Sequence, residues 1–273
     1  MYDGKGTGNN LINVETGQIG HFNYHKFLKS GLHYLKSYGV VAPNRYHIFK
    51  DRRLNYLMLA KVACSAILTT IGKSYGIPAA GIFSDPRWNV RWGKLEDSFR
   101  EYDTFAFVRN PFDRIVSCYR DKIIHKNDHH RYLYAGHFFD LPANISFTEL
   151  VQRISAIPDR LADRHFKSQS SSLYENGKPL ANQIGRFENL REDWRKLACK
   201  YHFDPDLVHY NDSKTKEGAL SDFRAYYDEG LVELVYQRYK HDVELLGYRQ
   251  AYDELLDYVR TGHHENRLIH ASK

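Results

Sequence analysis

Hydrophobic and polar positions along the chain fall into short apolar runs, each followed by a stretch of helical period. NYLMLA, residues 55 to 60, is an apolar run of strand length. KVACSAILTTIGKSYG follows it at once, with small residues at the strand exit and then Ile67, Leu68 and Ile71 at helical spacing. Strand, tight loop and helix are expected in that order, with Gly76 as the stop. IPAAGIF, residues 77 to 83, is expected to form a second strand, SDPRWN a turn, and WGKLEDSFREY a short helix before the strand TFAFV at 104 to 108. PFDRIVSCYRDKIIHK then reads as a helix with Pro111 near its first position, where a missing N–H costs little.

Further along, ISFTELVQRIS carries a capping box, Ser146 with Glu149, and predicts another helix. NQIGRF, 182 to 187, reads as a short strand and LREDWRKLACKYH after it as a helix. Leu231, Leu234, Val235 and Tyr239 repeat on one face of a closing helical segment. At the other end, residues 1 to 20 read as a polar arm, and HFNYHKFLKSGLHYLKSYG as an amphipathic helix ended by Gly39. This alternation predicts an α/β fold: a central parallel sheet flanked by helices, with ligands outside the carboxyl ends of the strands. One domain is expected over residues 1–273: an N-terminal arm and helix to 50, a binding core over 51–250, and a C-terminal helix and tail over 251–273.

Composition narrows the chemistry only a little. The formal net charge of +6 favours an anionic ligand without naming one, and the basic residues are too scattered to indicate nucleic acid. An aromatic share of 14%, with 21 Tyr, suits a groove for sugars or bases as well as an ordinary core. Cys64, Cys118 and Cys199 stand far apart without a metal-ligand pair, so neither a disulfide framework nor a zinc site is suggested. With a polar start and no apolar run near the roughly 20 residues of a membrane span, a cytoplasmic protein without stable membrane insertion is expected.

Both loops at the carboxyl ends of the two strongest strands carry anion-binding chemistry. In the first, Lys61 stands directly after the strand, and the backbone N–H groups of Val62, Ala63, Cys64, Ser65 and Ala66 can converge as the chain turns into the helix. Oriented N–H dipoles, the Lys61 charge and the Ser65 hydroxyl would hold an anion there. The pattern is not a Walker A loop, since GxxxxGK[ST] is absent. A tightly packed small-residue turn is the competing reading. In the second loop, Arg109 at the strand end and Ser117 two turns into the helix can hold a second phosphate through charge-assisted hydrogen bonds. Two separate anion sites imply a ligand phosphorylated at both ends.

KVACSA after NYLMLA resembles the 5′-phosphosulfate loop of sulfotransferases, and FVRNPFDRIVSCYRDK resembles their 3′-phosphate motif, an Arg followed eight residues later by Ser. The likeness is closest to the Golgi-type carbohydrate sulfotransferases, sulfotransferase family 2. It continues in DRHFKSQ at 163 to 169, IGRFENLREDWRKLA at 184 to 198, HYNDSK at 209 to 214 and YKHDVELLGY at the end, and so spans roughly residues 55 to 248. Two positions depart from the family pattern: Ala60 replaces its usual Pro before the lysine, and Ala66 its second Ser or Thr. The resemblance implies a P-loop-like three-layer sandwich and transfer of a sulfuryl group from 3′-phosphoadenosine 5′-phosphosulfate to a hydroxyl of a carbohydrate, glycolipid or other glycoconjugate. Adenosine 3′,5′-bisphosphate would be released and no metal required.

In that chemistry Lys61 would neutralise or protonate the leaving oxygen, and a general base would take the acceptor proton. His165, with Asp163 two residues away, is the leading candidate; Asp85, Glu96 and Asp97 are rivals, because related sulfotransferases place their base between the two phosphate motifs. His209, Asn211, Ser213 and Lys214 lie in a polar loop that can close over the nucleotide. Arg186 and Glu188 can contact substrate or neighbouring helices, the structural reading being favoured for Glu188. The histidine-rich stretches 125–131 and 262–270 match no strong metal motif and read as surface loops. A nucleotide-dependent kinase and a non-catalytic polyanion-binding protein are the alternatives. The acceptor and the oligomeric state are not encoded in any readable pattern.

Overall fold

The computed structural model describes residues 10–12, 19–21, 36–37, 40, 42–80, 82–124, 145–208 and 222–261. The central sheet has five strands: β1 Arg45–Phe49, β2 Leu54–Leu57, β3 Val90–Trp92, β4 Asp103–Val108 and β5 Gln183–Arg186. Their spatial order is β3-β1-β2-β4-β5. β2, β4 and β5 run parallel, with Leu54 opposite Asp103 and Phe107 opposite Gly185. β1 runs antiparallel to both β2 and β3. The sheet is therefore mixed, and the expected all-parallel arrangement holds only for β2, β4 and β5. The reason is the connection between β1 and β2, a single 3-10 turn over Lys50–Arg52 closed by Arg53 at φ 47°. A parallel crossover needs a dozen or more residues, so so short a link can only fold back.

The helices that flank the sheet are α1 Cys64–Ser74, α2 Pro111–Tyr119, α3 Phe147–Ser155, α4 Leu190–Tyr201, α5 Glu229–Arg238, α6 Lys240–Leu245 and α7 Arg249–Arg260. α3 starts on the expected capping box: the Glu149 N–H donates to Ser146 Oγ at 3.2 Å and the Ser146 N–H donates to Glu149 Oε2 at 2.9 Å. α1 stops at Gly76 as expected. With φ at 64°, Gly76 donates to the Lys73 carbonyl and Ile77 to the Gly72 carbonyl, the paired bonds of a left-handed helix end.

The described residues of 77–83, which are 77–80, 82 and 83, do not form the second strand that their apolar run suggests. Ile77 is committed to closing α1, Ile82 donates to the Ala79 carbonyl in a turn, and both side chains pack on Gly72, where a Cβ would lie 2.9 Å from Ile82 Cδ1. The short helix expected over 92–102 is one turn, Asp97–Arg100. β1 and β3 were not anticipated. Of the helix expected over 21–39, His21 instead ends a short strand, Ile19–His21, paired antiparallel with Asn10–Ile12, Lys36 and Ser37 are helical, and the rest lies outside the described residues.

One hydrophobic core fills both faces of the sheet. β4 is buried from Thr104 to Val108, and the Tyr56 and Phe105 rings stack between β2 and β4 at 4.6 Å. The rigid centre of the sheet thus ends at the two loops that carry Lys61 and Arg109. Among the described residues no helix is long and apolar enough to cross a membrane.

Candidate active site

Between β2 and α1 the backbone adopts an unusual path. Lys61 has φ 70° and Ala63 has φ 65°, both left-handed and neither a glycine. Each such residue costs on the order of 1–2 kcal/mol, a strain that persists where the surroundings over-determine it, often at functional sites. Val62 between them is fully buried and anchors the turn. Alternating left- and right-handed residues point successive N–H groups into one concavity, an anion-binding arrangement. α1 begins at Cys64 with Ala63 as N-cap and no side-chain cap, so its first N–H groups and its positive dipole end face the same concavity. The Cys64 thiol lies within this turn. Burial raises its pKa, while Lys61 and the N–H groups of Lys61, Ser65 and Cys64 pull the other way. Ser65 is half-buried and Ala66 is buried at the start of the helix.

The second loop is held rigidly. The Gln169 amide grips the Arg109 backbone from both sides, accepting from its N–H at 2.9 Å and donating to its carbonyl at 2.8 Å. Glu188 Oε1 accepts from the Asn110 N–H at 2.6 Å, and Asn110 caps α2 by accepting from the Phe112 N–H. The Arg109 guanidinium lies 3.8 Å over the Phe187 ring and donates to Asp113 Oδ2 at 2.8 and 3.0 Å. Its Nη1 donates to the Lys61 carbonyl at 3.3 Å, so the two loops touch. Ser117, half-buried, stands one helical turn beyond Asp113.

After Tyr119, α2 passes into a π-helical turn, Arg120–Ile124. Such insertions are rare and recur at functional sites. Here the turn brings Asp121 to Lys61, at 2.9 Å, and to Lys122, at 3.0 Å. Burial pushes the Asp121 carboxyl up, but the two ammonium groups outweigh it and hold it at about 2.

His165 is half-buried beside Asp163, with Nδ1 2.5 Å from Asp163 Oδ1 and its own N–H donating to the same oxygen at 2.8 Å. Burial lowers the His165 pKa below its ordinary value; Asp163 opposes this, and Lys122 and Arg164 add to it. The lowering favours the neutral ring, whose Nδ1 is tied to Asp163. Cys118, buried on α2, lies within reach of both clusters: burial pushes its thiol up to about 12, and the charges of Lys61, Asp163, Arg114 and Lys122 all act on it. The rival carboxylates are engaged elsewhere. Asp85 pairs with Arg87 at 2.7 Å, Glu96 with Arg91 at 2.8 Å, and Asp97 with Arg100 at 3.4 Å.

Several residues that build this centre were not read from the sequence. Arg114 is 3% exposed and donates to the carbonyls of Ala60, Lys167 and Arg164, joining the residue before Lys61 to the segment around His165. Asp242, fully buried, accepts from the N–H groups of Gln169 and Ser170 at 2.8 and 2.7 Å, so YKHDVELLGY braces the site from behind. Tyr239 adds a bond from its hydroxyl to the Phe166 carbonyl at 2.7 Å. Arg186 and Glu188 do not pair with each other. Arg186 donates to the Leu246 carbonyl, and Glu188 accepts from Asn110 and from the Tyr248 hydroxyl. The structural reading of Glu188 holds: it locks the Arg109–Asn110 exit. His209, Asn211, Ser213 and Lys214, and the stretches 125–131 and 262–270, lie outside the described residues apart from the sequence itself.

A family model described as Sulfotransferase family matches residues 44–249. The chain belongs to the sulfotransferase family. The match takes in β1, the Lys61 and Arg109 loops, the His165 segment and the bracing segment up to Arg249, and membership supports sulfuryl transfer as the general activity. An uncharacterized protein of Archaeoglobus fulgidus is 33% identical over 122 residues, which is 45% of this chain and 86% of that protein. No solved structure matches. Among the described residues, no group of three or more His, Cys, Asp or Glu is arranged to hold a metal ion.

Proposed function

We propose that this sulfotransferase uses 3′-phosphoadenosine 5′-phosphosulfate as donor and a hydroxyl of a carbohydrate or glycoconjugate as acceptor, on a P-loop-like scaffold. The observation that carries the reading is the contact between the two loops. An anion concavity built on left-handed Lys61 and Ala63 touches, through the Arg109 to Lys61 bond, a second cationic grip. A nucleotide with phosphates at both its 5′ and 3′ positions suits such a pair. The concavity holds the 5′ phosphate; Arg109, exchanging Asp113 for the ligand, and Ser117 hold the 3′ phosphate that ATP lacks.

Transfer is an in-line displacement at sulfur. A bond forms from the acceptor oxygen to sulfur as the bond from sulfur to the bridging phosphate oxygen breaks, and the negative charge passes to the leaving nucleotide. Lys61 stabilises that charge. His165, neutral and oriented by Asp163, takes the acceptor proton on Nε2. Asp121 holds the Lys61 ammonium in place until the donor arrives. Unpaired Cys64, Cys118 and Cys199 support a cytoplasmic setting as part of this reading.

The test is transfer of radiolabelled sulfate from the donor to a panel of glycans. Label should appear on acceptor with the native protein and not with Lys61→Ala. Label transfer undiminished in that variant would sink the assignment.

A further inference from the structure

Asp121 Oδ2 is shared by two ammonium groups, Lys61 at 2.9 Å and Lys122 at 3.0 Å. One oxygen atom therefore marks a point on which both cations converge. Consecutive side chains of an ordinary helix do not face each other, yet within the π turn Arg120–Ile124 the Asp121 carboxylate and the Lys122 ammonium meet. Of the three groups the carboxylate is the most open: its side chain is 42% exposed, against 15% for Lys61 and 10% for Lys122. An incoming anion can thus displace Asp121 towards solvent while both lysines stay in the protein. Whatever oxyanion takes its place meets two ammonium donors at once.

Lys122 also bears on both ends of the reaction path. Its charge acts on His165, and it acts on Cys118, which in turn feels Lys61 and Asp163. In the transfer described above, Lys61 serves the oxygen that leaves and His165 the proton of the acceptor. The remaining oxygens of the sulfuryl group, which carry negative charge throughout, have no side chain assigned to them.

We propose that Lys122 is a further catalytic residue of this site, its ammonium holding an oxygen of the sulfuryl group where Asp121 Oδ2 lies in the ligand-free protein. The inference rests on the donor reading above and adds the residue that touches the transferred group. Lys122 donates hydrogen bonds and gives up no proton. The acceptor oxygen bonds to sulfur, the bond from sulfur to the bridging oxygen breaks with its electron pair passing to the bisphosphate, and the acceptor proton goes to His165. An ammonium already fixed beside the moving group needs no reorganisation during that displacement.

Calorimetric titration isolates this contact, because the intact donor carries the sulfuryl group and adenosine 3′,5′-bisphosphate does not. In Lys122→Met the affinity for the donor should fall about tenfold or more, the scale of one charge-assisted hydrogen bond, while that for the bisphosphate stays within about threefold. Lys122→Gln gives the same readout should the apolar side chain prevent folding. A double variant, Asp121→Asn with Lys122→Met, excludes an effect exerted only through Asp121: compared with Asp121→Asn alone, it should still lose affinity for the donor and not for the bisphosphate. Equal losses for the two nucleotides, no loss for either, or a double variant that binds the donor as Asp121→Asn does, overturns the assignment. Failure of the native protein to bind the bisphosphate overturns the donor reading itself, before any variant is compared.

Discussion

The Lys61 ammonium and the Asp121 carboxylate meet at 2.9 Å, although Lys61 follows β2 and Asp121 lies beyond the end of α2. The π turn at Arg120–Ile124 makes the meeting possible. The lysine that would stabilise the leaving group is thus already restrained in the ligand-free protein, and a donor phosphate must compete with Asp121 for it.

Replacing Asp121 removes that competition. Asp121→Asn should bind adenosine 3′,5′-bisphosphate about two- to fivefold more tightly, the scale of a half-exposed ion pair. Calorimetry reads this directly. Weaker binding would mean that the carboxylate positions Lys61 more than it competes.

His165 is half-buried and its pKa is lowered from the ordinary 6.5, so the neutral base is lost as pH falls through that lowered value. The rate profile should therefore show an acid limb with its midpoint below 6.5. His165→Ala should reduce kcat about 10²- to 10⁴-fold and remove the limb. Asp163→Asn should displace the limb, since the carboxylate opposes the lowering.

Arg114 satisfies three backbone carbonyls inside the protein. Arg114→Met strands them, and the protein should lose about 3 kcal/mol or more in urea unfolding, because a buried unsatisfied acceptor costs roughly 1–3 kcal/mol. A loss under 1 kcal/mol would show that water replaces the guanidinium freely.

What the sequence made legible were the strand–loop–helix units whose chemistry is local. Pro111 and the Ser146–Glu149 box announce helix starts through short-range rules, and each lies where those rules place it. Lys61 after an apolar strand is equally local. Contacts made across the fold were not legible. Nothing in YRDKII marks a π turn, and Arg114 gives no sign that its partners lie 50 to 54 residues away. Two strands were missed for a related reason. RYHIF has a histidine where a core strand should be apolar, yet His47 is fully buried at the centre of the sheet. Conversely, 77–83 is apolar because it plugs the end of α1, a role that apolar content alone does not distinguish from a strand.

That buried histidine predicts acid sensitivity. Burial, aided by Arg45, lowers the His47 pKa to about 3, and neither ring nitrogen has a hydrogen-bond partner. Between 6.5 and about 3 the unfolded chain takes up a proton that the folded protein refuses, so stability falls as pH falls through that window. His47→Leu should lose about 2 kcal/mol less than the native protein between pH 6.5 and pH 5, measured by urea unfolding. Parallel losses in both proteins would show that His47 is protonated without cost.

The central claim is that two touching grips recognise a nucleotide phosphorylated at both ends, and calorimetric titration with adenosine 3′,5′-bisphosphate and adenosine 5′-monophosphate tests it most directly. The bisphosphate should bind far more tightly than the monophosphate. Arg109→Ala should weaken the bisphosphate about ten- to a hundredfold while changing the monophosphate little, as the loss of charge-assisted hydrogen bonds to one phosphate requires. Equal affinities for the two nucleotides, or equal losses in the variant, would contradict the claim.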